Sequence, residues 1–214
     1  MSRICPAILA ESPGLYRERL EKVASFARRI QIDLTDGHFA PTKTIDASEA
    51  WWPVGVKADF HLMYKNPMAA TEEILKHQPH MIIVHAEADG DFENVASICK
   101  TKKVKVGIAL LKQTSPKKIL PVINEIDHVL VFSGSLGRYN GYADISLLSK
   151  VHFLKAHRKD LEVGWDGGIN LQNISQLAIG GVDVFNVGGF IQNADDPEKT
   201  YHMLTRVVEE TGTT

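Results

Sequence analysis

The chain has 214 residues, of which 24 are Lys or Arg and 26 are Asp or Glu, so its formal net charge is −2. This balance supplies no strong basic field, which argues against nucleic acid as a main partner. The hydrophobic fraction of 44% is ordinary for a globular protein, and no apolar run of about 18 residues predicts a membrane span. Cys5 and Cys99 are predicted to be reduced and buried, which favours a cytoplasmic protein.

Short segments rich in Val, Ile and Leu alternate with longer amphipathic segments. Several of the short segments lack clean polar alternation, as expected of strands covered on both faces. Ser12-Pro13, Ser115-Pro116 and Asp196-Pro197 each place a capping side chain before a proline, which predicts a helix start. The predicted strands span residues 4–9, 29–33, 57–63, 81–85, 104–110, 128–132, 162–166 and 184–187. The predicted helices span residues 13–27, 67–77, 91–102, 116–125, 145–157, 171–179 and 197–208, with a short one near 46–52.

This alternation predicts an α/β fold with a parallel sheet, because parallel neighbours need crossover connections. Eight units at about 27 residues each fit a single closed (β/α)8 barrel over residues 1–214, near the lower size limit of that fold. A doubly wound open sheet is the alternative. It would have a glycine-rich first turn, whereas residues 9–12 read Leu-Ala-Glu-Ser.

Polar side chains fall where the predicted strands end. Asp33 ends the second predicted strand, His61 lies near the end of the third, and Asp166 ends the seventh. Closure of a barrel brings the carboxyl ends of its strands together, and that end is where barrel enzymes carry their chemistry. A single acid at a strand end is also an ordinary loop cap, so the convergence of several carries the prediction.

Two carboxylates facing each other suit inversion of a carbon next to a carbonyl. One group removes a proton from one face, and the other delivers a proton to the opposite face. Asp33 and Asp166 fit these roles if burial raises their pKa values toward the working pH. The enediolate between the two steps needs a metal ion or preorganised donors. His61 is either a metal ligand beside the two acids or an interior histidine bonded to a neighbour.

Glycine pairs follow the last two predicted strands, at Gly167-Gly168 and Gly188-Gly189. Barrels commonly bind phosphate at this place through backbone N–H groups. The alternative is a pair of tight turns that need glycine dihedral angles. Residues 133–141 after the sixth strand form a glycine-rich loop that we expect to close over a substrate. Arg138 in that loop either pairs with an anion or is a solvated charge.

Five motifs occur in the order typical of one family. Together they resemble the ribulose-phosphate 3-epimerases over most of the chain. They are the opening strand at residues 5–9, Asp-Leu-Thr-Asp-Gly-His-Phe-Ala-Pro at 33–41, Phe-His-Leu-Met at 60–63 followed by Asn66-Pro67, Val-His-Ala-Glu-Ala at 84–88, and Asp-Gly-Gly-Ile at 166–169.

The resemblance implies a TIM barrel of the ribulose-phosphate-binding type that interconverts D-ribulose 5-phosphate and D-xylulose 5-phosphate through an enediolate. It implies catalytic roles for Asp33 and Asp166. It also implies a divalent metal ion (zinc, iron or manganese) held by Asp33, His61 and Asp166. Substrate or phosphate contacts are expected at Ala7, His61, Gly137, Gly167, Gly168, Gly188 and Gly189. A homodimer or larger homo-oligomer is implied as well.

The chain departs from the family pattern at several site positions. Gln31 stands where the family has its first metal-binding histidine, and a neutral amide lowers the expected affinity for zinc. Ala7 replaces a substrate-contacting serine, and Thr35 replaces a methionine. Gly-Arg-Tyr-Asn at 137–140 replaces a Gly-Phe-Gly-Gly phosphate loop, and Gly189 replaces a serine. These changes leave two alternatives open: a 3-epimerase of another ketose phosphate, such as allulose 6-phosphate, or a non-catalytic sugar-phosphate-binding paralogue.

Overall fold

Strands and helices alternate along the chain, as the sequence predicts. The structure, a computed structural model, describes residues 3–139 and 141–211. Within those residues the strands are β1 (Arg3–Leu9), β2 (Arg29–Thr35), β3 (Lys57–Met63), β4 (Met81–His85), β5 (Lys105–Leu110), β6 (His128–Phe132), β7 (Glu162–Asp166) and β8 (Val184–Val187). All neighbouring pairs are parallel, and β8 pairs with β1, so the sheet is a closed barrel. The predicted fold class is confirmed.

The helices pack around the outside of the barrel. They are α1 (Pro13–Ala24), α2 (Met68–Leu75), α3 (Phe92–Thr101), α4 (Leu148–His157), α5 (Ile174–Ile179), α6 (Gly189–Gln192) and α7 (Pro197–Thr211). No helix among the described residues is both long enough and apolar enough to cross a membrane.

Several predicted segments differ from the observed elements; the short helix predicted near 46–52, for example, is a 3₁₀ turn at Ala47–Glu49. Pro116–Val122 is a 3₁₀ helix rather than an α-helix over residues 116–125, because Pro121 lies inside it and a proline ring clashes with the carbonyl four residues earlier. The helix predicted at 145–157 begins with a 3₁₀ turn at Ile145–Leu147. The strand predicted to end at Asp33 continues to Thr35, so Asp33 lies within the strand rather than at its end.

Strand β2 alternates strictly between polar and apolar residues. Ile30, Ile32 and Leu34 belong to the apolar layer that includes residues of the surrounding helices. The residues between them (Arg29, Gln31, Asp33 and Thr35) are buried and polar. Because successive strand residues point to opposite faces, the polar set of β2 faces the inside of the barrel. On β3 a similar alternation places Asp59 and His61 inside.

The N-terminal end of the barrel interior holds a buried ion network. Arg29 is 4% exposed; it donates from Nε to Asp59 Oδ2 at 2.5 Å and from Nη2 to Glu162 Oε1 at 2.7 Å. His128 Nδ1 lies 2.9 Å from the same Glu162 oxygen, and His80 Nδ1 lies 2.6 Å from Asp59 Oδ1. Buried Asp59 and half-buried Glu162 thus each contact the Arg29 guanidinium and a histidine ring.

Candidate active site

Asp33 and Asp166 meet at the C-terminal end of the barrel interior. Asp33 on β2 pairs in register with His61 on β3, and Asp166 is the last residue of β7. One ligand atom from each of Asp33, His61 and Asp166 lies within 4.8 Å of the other two. Both carboxylates line a cavity of about 300 Å³. This convergence agrees with the prediction made from the positions of these residues on their strands.

Gln31 joins the two carboxylates. Its Nε2 donates to Asp33 Oδ1 at 2.9 Å and to Asp166 Oδ2 at 2.5 Å. The side chain is fully buried, and its Oε1 has no hydrogen-bond partner among residues 3–139 and 141–211. Sequence reasoning treated Gln31 only as a weakened ligand. That it donates to both acids depends on closure of the barrel, since β2 and β7 are far apart in the chain.

His61 connects the acid pair to a second histidine and a glutamate. His61 Nδ1 lies 2.9 Å from Asp33 Oδ1, and its Nε2 lies 2.9 Å from Nε2 of His85. On its other side, His85 Nδ1 lies 3.4 Å from Oε2 of Glu87. Burial is the main cause that lowers the pKa of His85 to about 4, so its ring is neutral near pH 7. The sequence placed His85 at a strand end but did not link it to His61.

The two carboxyl groups lie too close together for both to ionise readily. Burial raises the pKa of Asp166 to about 7, and the nearby charge of Asp33 acts in the same direction. His61 and the Gln31 hydrogen bond oppose this shift only in part. Two close carboxyl groups in a buried site favour sharing a proton over ionising together. Near neutral pH the pair therefore offers one base and one acid.

Glycines form much of the cavity wall. Gly137, Gly167, Gly168, Gly188 and Gly189 all line the cavity, as does Ala7. Four of these glycines, all but Gly189, would bring an added Cβ into a clash, and two of them illustrate it. Gly167 has φ +113°, and a Cβ there would lie 2.1 Å from Gly134 N. A Cβ at Gly188 would lie 2.5 Å from Cε1 of Tyr139. Tight packing thus accounts for both positions, and a phosphate contact there stays a prediction.

The loop after β6 is tied to the first strand by Tyr139. The hydroxyl of Tyr139 donates to the Ala7 carbonyl at 3.0 Å and accepts from Leu9 N at 2.8 Å. The Arg19 guanidinium lies over the same ring, 4.8 Å from its centroid. Arg138 lines the cavity beside it, and Asn140 lies outside the described residues. Sequence reasoning missed this contact, which joins residues about 130 positions apart.

Two further polar residues, Asp36 and Asn186, differ in what they contact. Asp36 of the 33–41 motif accepts from the backbone N–H groups of His38, Phe39 and Lys65, so it organises the loop. Asn186 on β8 pairs in register with Asp166 and lines the cavity. The sequence signal for Asn186 was a single amide in the otherwise apolar strand Val184–Val187.

The donor set fits a divalent metal ion. Two carboxylates and an imidazole are ligands that zinc, iron and manganese accept. A histidine ligand commonly donates its other ring N–H to a neighbour. His85 Nε2 stands 2.9 Å from His61 Nε2 to accept that hydrogen, and His85 can in turn donate to Glu87. Gln31 is the exception, because its amide hydrogens point at the carboxylates that would bind the ion.

The fold and site together define a class: (β/α)8-barrel proteins with an acid pair at the carboxyl end of the strands. Residues 3–191 match the model of the ribulose-phosphate 3 epimerase family. Ribulose-phosphate 3-epimerase from Mycobacterium leprae is 31% identical over 211 residues, 95% of this chain and 93% of the relative. The enzyme of that name from Bacillus subtilis is 30% identical over 209 residues, which cover 93% of this chain and 96% of the relative. The chain belongs to the ribulose-phosphate 3-epimerase family, a family of isomerases.

Solved structures confirm the fold at lower identity. A 3-hexulose-6-phosphate synthase from Salmonella typhimurium superposes with a TM-score of 0.73 at 16% identity, covering 98% of this chain and 99% of the other. KGPDC from Streptococcus mutans gives a TM-score of 0.74 at 10% identity, covering 99% of each chain. At these identities the likeness concerns the barrel alone.

Proposed function

We propose that the chain interconverts D-ribulose 5-phosphate and D-xylulose 5-phosphate by two-base proton transfer. The observation that carries the proposal is the pair Asp33 and Asp166, joined at the base of a cavity in a member of this family. A cavity of about 300 Å³ lies at the small end of ligand pockets and suits a pentulose phosphate.

The proposed steps assign one proton transfer to each acid. Ionised Asp33 takes the proton from C3 of the ketose, and the electron pair moves into a C2–C3 double bond, leaving an enediolate. Protonated Asp166 then delivers a proton to the opposite face of C3, which restores the C2 carbonyl. After one turnover Asp33 holds the proton and Asp166 is ionised, so the reverse reaction uses the same groups in exchanged roles.

Neighbouring groups orient this pair before an ion or a substrate arrives. His61 lies within hydrogen-bond distance of Asp33, and Gln31 donates to both acids. A divalent ion held by Asp33, His61 and Asp166 would supply positive charge to the enediolate oxygens. The glycine turns after β7 and β8 and Arg138 are proposed to face the phosphate.

The test is proton exchange on a panel of substrates. We expect the protein, supplied with Mn²⁺ or Zn²⁺ in D₂O, to incorporate deuterium at C3 of ribulose 5-phosphate. Asp33→Asn and Asp166→Asn should each lower the rate by about 10² to 10⁴-fold, the usual contribution of a positioned acid or base. Glu11→Gln, an exposed residue after β1, is the matched control.

The panel also separates the alternatives. Faster exchange on allulose 6-phosphate would reassign the substrate, and full activity in both aspartate variants would exclude the mechanism. No exchange on any ketose phosphate would favour a non-catalytic sugar-phosphate-binding role. A single domain over residues 1–214, a homo-oligomer and a cytoplasmic location belong to the same proposal. Light scattering of the purified protein tests the assembly.

A further inference from the structure

Gln31 presents hydrogens at the place where metal ligands converge. An amide nitrogen has two hydrogens, and Gln31 Nε2 lies within hydrogen-bond distance of one oxygen of each acid. His61 Nδ1 lies near both acids, 2.9 Å from Asp33 Oδ1 and 3.7 Å from Asp166 Oδ2. The amide therefore occupies the centre of the acid pair.

The orientation of this amide follows from its neighbours. With its oxygen turned to the acids, the amide could accept only from an acid that holds a proton, and it would face the ionised acid as a second acceptor without a donor. With its nitrogen there, each acid receives one hydrogen bond to a charged or partly charged oxygen, which is the stronger kind. A cation reverses the preference, because it attracts the amide oxygen and repels the amide hydrogens. One side chain in one orientation cannot bridge the acids and accept an ion.

We propose that Gln31 competes with the divalent ion: its NH₂ group bridges Asp33 and Asp166 when no ion is bound, and the ion binds only after the amide leaves that position. The unpartnered Oε1 is the second observation. Among the described residues nothing donates to it, so the amide is held only from the acid side. In the absence of an ion, the Gln31 side chain therefore holds Asp33 and Asp166 together by hydrogen bonds. The inference deepens the proposed function and rests on it for its relevance to catalysis.

The test measures metal affinity without substrate. Protein freed of metal with a chelator is titrated with Mn²⁺ and with Zn²⁺ by calorimetry, as wild type and as Gln31→Leu and Gln31→His. Leucine has a similar size and neither donates nor coordinates. If Gln31 competes, Gln31→Leu binds the ion at least about tenfold more tightly than wild type, which is the loss of one charged hydrogen bond. Gln31→His, which adds an imidazole, binds at least as tightly as Gln31→Leu.

Weaker or unchanged affinity in Gln31→Leu overturns the proposal, because Gln31 would then be a ligand or a bystander. Thermal unfolding provides a second measurement. Without metal, Gln31→Leu should melt below wild type, and saturating Mn²⁺ should raise its melting temperature by more than that of wild type. A merely structural role would lower both values equally. Thr71→Val, a buried hydroxyl on α2, is the control and should leave affinity unchanged.

The outcome is independent of the epimerase assay. If Gln31→Leu does not bind the ion more tightly than wild type but epimerisation is intact, the proposed role of Gln31 is overturned and the proposed function stands. If Gln31→Leu binds the ion more tightly but no ketose phosphate exchanges deuterium, the role of Gln31 stands and the proposed function is overturned.

Discussion

The two ends of the barrel interior bury carboxylates in opposite ways. At the N-terminal end, Asp59 and Glu162 both contact the Arg29 guanidinium. At the C-terminal end, Asp33 and Asp166 share a neutral amide from Gln31. On β3 the two systems are two residues apart, since Asp59 belongs to one and His61 to the other.

The pKa values differ accordingly. Burial alone would raise the pKa of Glu162, but hydrogen bonds from His128 and Arg29 outweigh it and hold that pKa well below its usual range. Burial raises the pKa of Asp166 to about 7, and Asp33 adds to the shift. Burial is thus common to both ends, and the charge of the partner decides the sign. At one end the pKa of Glu162 is held low, and at the other the pKa of Asp166 is raised toward neutrality.

The largest expected effect is loss of the cation at the N-terminal end. Arg29→Met leaves the buried Asp59 and the half-buried Glu162 without that cation, so the free energy of unfolding should fall by about 3–5 kcal/mol. Urea denaturation measures this change. Arg28→Met, an exposed neighbour, is the control and should change it by less than about 0.5 kcal/mol. A loss below about 1 kcal/mol for Arg29→Met would mean that the network does not depend on Arg29.

At the C-terminal end, removing a carboxylate should raise the free energy of unfolding, by less than the loss expected for Arg29→Met. Folded Asp166 holds its proton up to about pH 7, whereas the ordinary value is 3.8. The folded state therefore binds more protons between these values, and stability falls as pH rises from about 4 to about 7. Asp166→Asn removes that cost, so at pH 8 it should be more stable than wild type by about 1 kcal/mol or more, and nearly equal at pH 4.

Chelator must be present in this experiment, because a bound ion would hold Asp166 ionised. Glu162→Gln should respond to pH in the opposite way. The wild-type Glu162 carboxylate has a lowered pKa, so it stabilises the folded state above about pH 4.5, and this stabilisation is lost as pH falls below that value. Glu162→Gln should therefore lose stability at pH 8. A common sign for the two variants would break the comparison between the ends.

The smallest effect concerns the loop that covers the C-terminal end. Tyr139→Phe removes the hydroxyl that bonds Ala7 and Leu9, which should cost about 1 kcal/mol of stability. A rise of a few-fold in KM with little change in kcat is expected, because the loop wall is looser while the acids are untouched. Tyr142→Phe is the control, since that side chain is 75% exposed. Equal effects of the two variants would show that the hydrogen bonds from Tyr139 to β1 affect neither stability nor KM.

Much of the fold and part of the site were predictable from sequence. Strand alternation predicted the barrel, and barrel closure predicted that Asp33, His61 and Asp166 would meet. The direction of the Gln31 amide was not predictable, because it depends on contacts between β2 and β7, which are not neighbours in the sheet. Tyr139 reaches β1 for the same kind of reason, through loop packing rather than through any local pattern.

The alternation of β2 and β3 has a consequence for how the chain folds. A slip of one residue between either strand and its neighbours would send Arg29, Asp33 or His61 into the layer of helices and bring Ile32 or Phe60 inside. Such a slipped pairing would place charged groups in an apolar layer without their partners, at a large cost in free energy. The residues that we propose carry the chemistry therefore also help to specify the register of the barrel.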